Sequence, residues 1–186
     1  VCQYVQTEKP YWLDQAYSEA ITNSDIGLVA RNLETVSKVT ALIRLCFPQA
    51  SRFVDYGGGY GMFVRLMRDK GFDFYRSDKY AKNLFAKQFE ASETISYDLL
   101  TAFEVFEHLV NPTDEVERML KLSDAIFFST TLLPAHQPKP GEWWYYCLDH
   151  GQHVGIYTKQ TLTFLARKFS LFLYSDHKNF HLLTRK

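Results

Sequence analysis

Ten residues constrain this chain more than any others: Arg52-Phe53-Val54-Asp55-Tyr56-Gly57-Gly58-Gly59-Tyr60-Gly61, a short apolar strand running into Asp-x-Gly-x-Gly-x-Gly. A backbone that turns this sharply off a strand must visit positive φ without a Cβ penalty, and it lets a ligand approach the main chain closely. A glycine-rich turn between a strand and a helix is therefore a candidate ligand cradle within an α/β fold.

Two details narrow the ligand. A dinucleotide site needs Gly-x-Gly-x-x-Gly with the helix N-terminus free for a pyrophosphate, and counting from Gly57 the third glycine falls on Met62, so that fingerprint fails. Asp55 would also repel a phosphate, whereas its carboxylate suits a ligand carrying an ammonium and a sulfonium.

The segments around this turn alternate between the strand and helix periods. Strands are expected near residues 52–56, 72–77, 97–103 and 124–130, and helices near 61–70, 113–121 and 158–168, which implies a mostly parallel sheet with helices on both faces. Residues 12–22 and 28–46 read as helices that precede the first strand as a cap. The closing runs 169–174 and 179–184 have no helix between them and should pair as a hairpin. No repeat, low-complexity tract or linker divides the chain, so 1–186 reads as one domain, with 1–50 as the helical cap and 51–186 as the α/β core.

Composition removes several classes of function. Lys+Arg and Asp+Glu are both 21, for a formal net charge of +0, so the chain lacks the basic field that drives nucleic-acid binding and a small-molecule substrate is favoured. Cys2, Cys46 and Cys147 are scattered, which fits reduced thiols rather than zinc or a disulfide framework. With no long apolar run and no signal-peptide pattern at the start, a soluble, cytoplasmic protein without membrane partners is expected. The chain begins at Val1, which leaves upstream residues and the oligomeric state open.

Two further stretches carry chemistry. Asp78 closes the second strand 78 − 55 = 23 positions after Asp55, where a carboxylate can take both ribose hydroxyls. Residues 97–110 end a buried strand in Glu104-x-x-Glu107-His108, beside the glycine turn at the carboxyl edge of the sheet.

With these motifs the chain resembles the class I S-adenosylmethionine-dependent methyltransferases, closely over residues 52–130 and more loosely over 11–174, with flanks similar to a bacterial small-molecule branch. The resemblance implies a Rossmann-like α/β fold with a seven-stranded sheet and an antiparallel last strand. It implies S-adenosylmethionine as cofactor and S-adenosylhomocysteine as product. Asp55, Gly57, Gly59 and Gly61 would meet the methionine end, Asp78 the ribose and an apolar residue near Phe89 the adenine, while Arg31 is placed to pair with the cofactor carboxylate.

Methyl transfer needs a nucleophile aligned behind the methyl group and, for oxygen, a base to take its proton. His153, in a loop expected to overhang the site, is the first choice; His108 and His150 are alternatives, and Tyr145 in the Trp143-Trp144-Tyr145-Tyr146 run is placed to hydrogen-bond the acceptor. Glu104, Glu107 and His108 with His150 or His153 also make a candidate Mg²⁺ or Mn²⁺ site. Metal is disfavoured because ligation needs four converging side chains and only three are adjacent. Two other functions stay open: a non-catalytic cofactor-binding partner subunit, and a metal-assisted methyltransferase acting on RNA or sugar hydroxyls.

Overall fold

A computed structural model describes residues 2–12, 26–149 and 151–185. The first expected helix lies outside these residues apart from Trp12, as does His150.

The central sheet has strands β2 (Arg52–Tyr56), β3 (Asp73–Ser77), β4 (Leu99–Ala102), β5 (Ala125–Ser129), β7 (Phe172–Ser175) and β8 (Phe180–Thr184), in the order β3-β2-β4-β5-β8-β7. The pairs among β2, β3, β4 and β5 are parallel, and β8 runs antiparallel to both β5 and β7. The expected hairpin thus closes the sheet. A separate two-stranded pairing joins β1 (Val5–Gln6) to β6 (Gly155–Ile156).

The strands alternate sides as the pleat requires, and each side is covered by helices. Phe53, Leu99 and Phe127 point to one face, where they meet Val36, Val39 and Ile43 of α1 (Leu28–Cys46) and Phe63, Val64 and Met67 of α2 (Met62–Asp69). Their neighbours Val54, Leu100, Ile126 and Phe128 point to the other face. There they pack on Val116 and Met119 of α3 (Pro112–Leu122) and Leu162 and Leu165 of α4 (Lys159–Lys168). Phe106 and Phe128 stack with ring centroids 3.8 Å apart at the centre of this second layer.

One expectation is corrected. The sheet has six strands among the described residues, not seven: the segment after β3 contributes only the isolated parallel bridge Arg76↔Glu90. Gln88 at φ 75° turns the chain there, and among the described residues its backbone hydrogen bonds to β3 are two, Arg76 N–H to the Phe89 carbonyl at 2.8 Å and Ala91 N–H to the Arg76 carbonyl at 2.7 Å. The described part of the cap, α1, is also one of the two helices covering that face of the sheet, because its Val36-Val39-Ile43 stripe is buried in the core.

No helix among the described residues is long and apolar enough to cross a membrane.

Candidate functional site

A cavity of about 620 Å³ opens at the carboxyl ends of β2, β4 and β5, between the glycine turn and the exposed side of α1. Strand ends meet here because every parallel strand presents its loop on the same edge.

The glycine turn forms one wall. Gly57, Gly59 and Gly61 have φ of 70°, 52° and 85°, a region that side-chain-bearing residues rarely enter. A Cβ on Gly57 would sit 2.6 Å from Val105 Cγ2, whereas one on Gly59 would meet nothing within 4 Å. The turn is thus packed tightly behind and open in front.

Asp55 lies on the cavity floor at 3% exposure and accepts a hydrogen bond from Thr101 Oγ1 at 2.7 Å. Burial pushes its carboxyl up to about 7; the Thr101 hydroxyl opposes the shift, the Asp78 charge adds to it and the Arg76 guanidinium opposes it.

The structure turns Asp78 toward the backbone rather than into the cavity. Its Oδ2 accepts from Gly59 N–H at 2.9 Å, and its Oδ1 from Tyr80 and Ala81 N–H, each at 2.8 Å. Phe89 is set back from the cavity, packed under the Arg68 guanidinium at 3.6 Å from its ring centroid. Leu84 and Phe85 stand on the cavity wall in its place, and both of their N–H groups donate to the Tyr60 carbonyl at 3.0 Å. Phe89 was placed at the adenine by the family resemblance alone, over a stretch with no strand pattern of its own. Arg31 lines the α1 side, with Nη1 donating to the Ile26 carbonyl at 3.0 Å.

The opposite wall carries the candidate catalytic groups. Glu104 lines the cavity at φ 54°; its N–H donates to Ser129 Oγ at 2.9 Å, and that hydroxyl donates back to Glu104 Oε1 at 3.0 Å. Tyr145 also lines it, with its hydroxyl accepting from Thr131 N–H at 2.9 Å and 3.2 Å from Thr130 Oγ1. Burial first, and the Glu107 charge second, hold the Tyr145 phenol far above its usual range.

Glu107, His108 and His153 do not line the cavity. His153 was expected to overhang it, but the loop tucks this ring behind Tyr145, 4.6 Å between centroids, with Nδ1 2.6 Å from the Tyr145 carbonyl. His108 Nδ1 lies 3.0 Å from the Gln152 carbonyl. A carbonyl only accepts, so each neutral ring carries its proton on Nδ1, which makes Nε2 its acceptor nitrogen. Burial, with His153 alongside, drives the His108 imidazole down to about 3, which keeps it neutral.

Glu107 has no exposed surface, and its carboxyl lies beside the Tyr145 and Thr130 hydroxyls. Burial, reinforced by the Glu104 charge, pushes it well above the usual carboxylate range. Ligand atoms of Glu107, His108 and His153 all lie within 4.8 Å of one another. Glu104, which the sequence grouped with them, faces the cavity instead.

Several lining residues escaped sequence reading. Ser129, Thr130 and Thr131 follow from the rule that ligands sit at strand carboxyl ends, applied to β5. Lys38, Asn179 and Phe180 carry no local signal, because only the packing of α1 and β8 against the cavity brings them there.

The family model described as "Methyltransferase domain" matches residues 29–173. An O-methyltransferase family protein from Burkholderia thailandensis superposes with a TM-score of 0.62 at 12% identity, over 100% of this chain and 65% of its own. The chain therefore spans just under two thirds of that protein's length. Magnesium protoporphyrin IX methyltransferase from Synechocystis PCC 6803 superposes at 0.56 and 13% identity, over 92% of this chain and 90% of its own. A plantazolicin methyltransferase superposes at 0.58 and 11% identity, over 92% and 94%. No curated protein matches the chain in sequence.

Proposed function

Because the chain belongs to the methyltransferase domain family, whose model spans residues 29–173, we propose that it transfers a methyl group from S-adenosylmethionine to a small-molecule acceptor, at oxygen. The observation that carries this reading is the glycine turn: at Gly59 the backbone opens onto free space, above a buried Asp55 carboxylate. Such a cradle takes a ligand against the main chain, and the carboxylate favours one with positive charge. The Synechocystis enzyme and the plantazolicin methyltransferase were solved with S-adenosylhomocysteine bound, which supports the same cofactor here.

In this reading the methionine ammonium sits on Asp55 along Gly57–Gly61, with Arg31 toward the carboxylate and Leu84 and Phe85 against the adenine. Asp78 supports the ribose end through the turn that it ties. When bound, the cofactor supplies a sulfonium-activated methyl group. The protein's residues then hold the acceptor in line and receive its proton. Glu104 stands at the cavity surface and meets that proton first; His153, one layer back, is the base only if the proton passes Tyr145. Phe103, Trp144 and Phe180 form an aromatic wall suited to a planar acceptor.

Calorimetric titration with S-adenosylmethionine and S-adenosylhomocysteine tests the assignment. Micromolar binding is the expected result, and no binding to either would remove it.

One observation favours a second reading, metal-assisted transfer to a hydroxyl: the fully buried Glu107 carboxyl and the His108 and His153 rings bring ligand atoms within 4.8 Å of one another. One carboxylate and two imidazoles, each anchored through Nδ1 to a carbonyl, are a donor set that Mn²⁺ or Zn²⁺ accepts, and a cation there would supply its Lewis acidity from behind Tyr145, one layer back from the cavity. Saturating Mn²⁺ at about 100 times Kd should stabilise the wild type by about 2.7 kcal/mol, roughly 5–10 °C in Tm. The same addition should leave Glu107→Gln and His153→Ala unchanged; an unshifted wild type would leave the cluster as buried structure.

A further inference from the structure

The strand that ends in Asp78 carries an arginine where a core strand ordinarily carries an apolar side chain. Arg76 is 3% exposed. A buried guanidinium is retained only where its donors are satisfied, so its partners show what it holds.

Those partners lie in the glycine turn and in the 78–90 segment that carries the Leu84–Phe85 wall. Nε donates to the Gly59 carbonyl at 2.6 Å, in the glycine turn. Nη2 donates to the Ala81 carbonyl and lies 3.6 Å from Asp78 Oδ1. Nη1 donates to Glu90 Oε1 at 2.8 Å, and the same oxygen accepts from Asn83 Nδ2 at 2.9 Å. Asn83 in turn holds Ala86, accepting from its N–H at 2.9 Å and donating to its carbonyl at 2.7 Å. Leu84 and Phe85 lie between these anchors.

We infer that Arg76 is a positioning residue for the cofactor: one planar fork holds the glycine turn and the Leu84–Phe85 wall at a fixed separation before any ligand arrives. The inference rests on the proposed cofactor reading. The seventh strand that would otherwise fix the 81–91 segment is reduced to a single bridge, and the backbone ties from its Leu84–Phe85 wall to the turn are the two hydrogen bonds to the Tyr60 carbonyl. The Arg76 side chain adds a second tie, at Gly59, Ala81 and Glu90. Its Cγ also lies 3.2 Å from where a Gly58 Cβ would be, so the turn and the arginine are packed as well as bonded. A lysine keeps the charge but offers one donor centre, which cannot span Gly59, Ala81 and Glu90 together.

The test compares the wild type with Arg76→Lys and Glu90→Gln. Glu90 is half-exposed, so its replacement weakens one arm of the fork without threatening the core. Calorimetry with S-adenosylhomocysteine should show roughly 10- to 100-fold weaker binding for Arg76→Lys, since small misplacements of a preorganised site cost about that much. A loss of a few-fold is expected for Glu90→Gln.

Amide hydrogen exchange on the ligand-free proteins separates local positioning from general loosening. Exchange should quicken over residues 57–61 and 80–91 while β4 and β5 keep wild-type protection, and the ligand should restore it. Affinity and exchange within twofold of wild type in Arg76→Lys would overturn the inference. Where that variant fails to fold, unchanged exchange in Glu90→Gln overturns it. A wild type that binds no S-adenosylhomocysteine overturns the cofactor reading instead, and the ligand-free exchange comparison still decides whether Arg76 braces the two walls.

Discussion

Gly57→Ala should melt far below the wild type, while Gly59→Ala melts close to it and yet binds cofactor poorly. The two positions share a positive φ, 70° and 52°, so alanine pays about 1–2 kcal/mol of backbone strain at either. Only at Gly57 does the new methyl collide, 2.6 Å from Val105 Cγ2. Val105 is itself buried, so overpacking adds about 1–3 kcal/mol there. Together these predict a Tm fall of roughly 10 °C for Gly57→Ala, against a few degrees for Gly59→Ala.

At Gly59 the methyl enters open cavity, in the space that the proposed cofactor occupies. Its S-adenosylhomocysteine affinity should drop at least about tenfold, the loss of roughly 1.4 kcal/mol of contact. Thermal melts beside calorimetry read both quantities. A Gly59→Ala protein with wild-type affinity would mean that the ligand does not lie against this turn.

Asp55→Asn should exchange ligand affinity for stability at alkaline pH. Burial raises the Asp55 pKa from 3.8 to about 7, above its unfolded value. The folded state therefore holds a proton that the unfolded state releases, so stability is full below pH 4 and falls as pH rises toward 7. The loss is on the order of 4 kcal/mol at most once the carboxylate is ionised in both states. Asparagine keeps an acceptor for the Thr101 hydroxyl and does not titrate.

Melting curves between pH 4 and 8 should therefore slope downward in the wild type, and less steeply in Asp55→Asn. Binding should move the other way. The ammonium of the cofactor needs the carboxylate, so wild-type affinity should rise from pH 6 to 8, whereas the variant binds at least tenfold more weakly with no such rise. Equal slopes in the two proteins would show that Asp55 is not the group responsible.

The strand-and-helix frame was legible because its signals are local. Arg52–Tyr56 is bounded by an apolar run and glycines, α2 starts directly after Gly61, and the terminal hairpin lacks any helix between its strands. The seventh strand was not legible, because residues 81–95 have no alternating apolar pattern and Gln88 turns the chain. In this stretch Leu84 and Phe85 line the cavity and Phe89 does not.

The sequence by itself determined the α/β class, the glycine cradle with Asp55 at its base, and the placement of Glu104-x-x-Glu107-His108 at the carboxyl edge of the sheet. These follow from periodicity and from the φ that only glycine accepts without strain, and both are properties of neighbouring residues. Only the tertiary structure decided which side each edge residue faces. Glu104 points into the cavity while Glu107, three positions on, is buried with His108 and His153, because the chain passes into a short 3₁₀ turn at Phe106–His108. It also decided that Arg76 braces the cradle, since its partners at Gly59, Ala81 and Glu90 come together only when the sheet and its loops have packed.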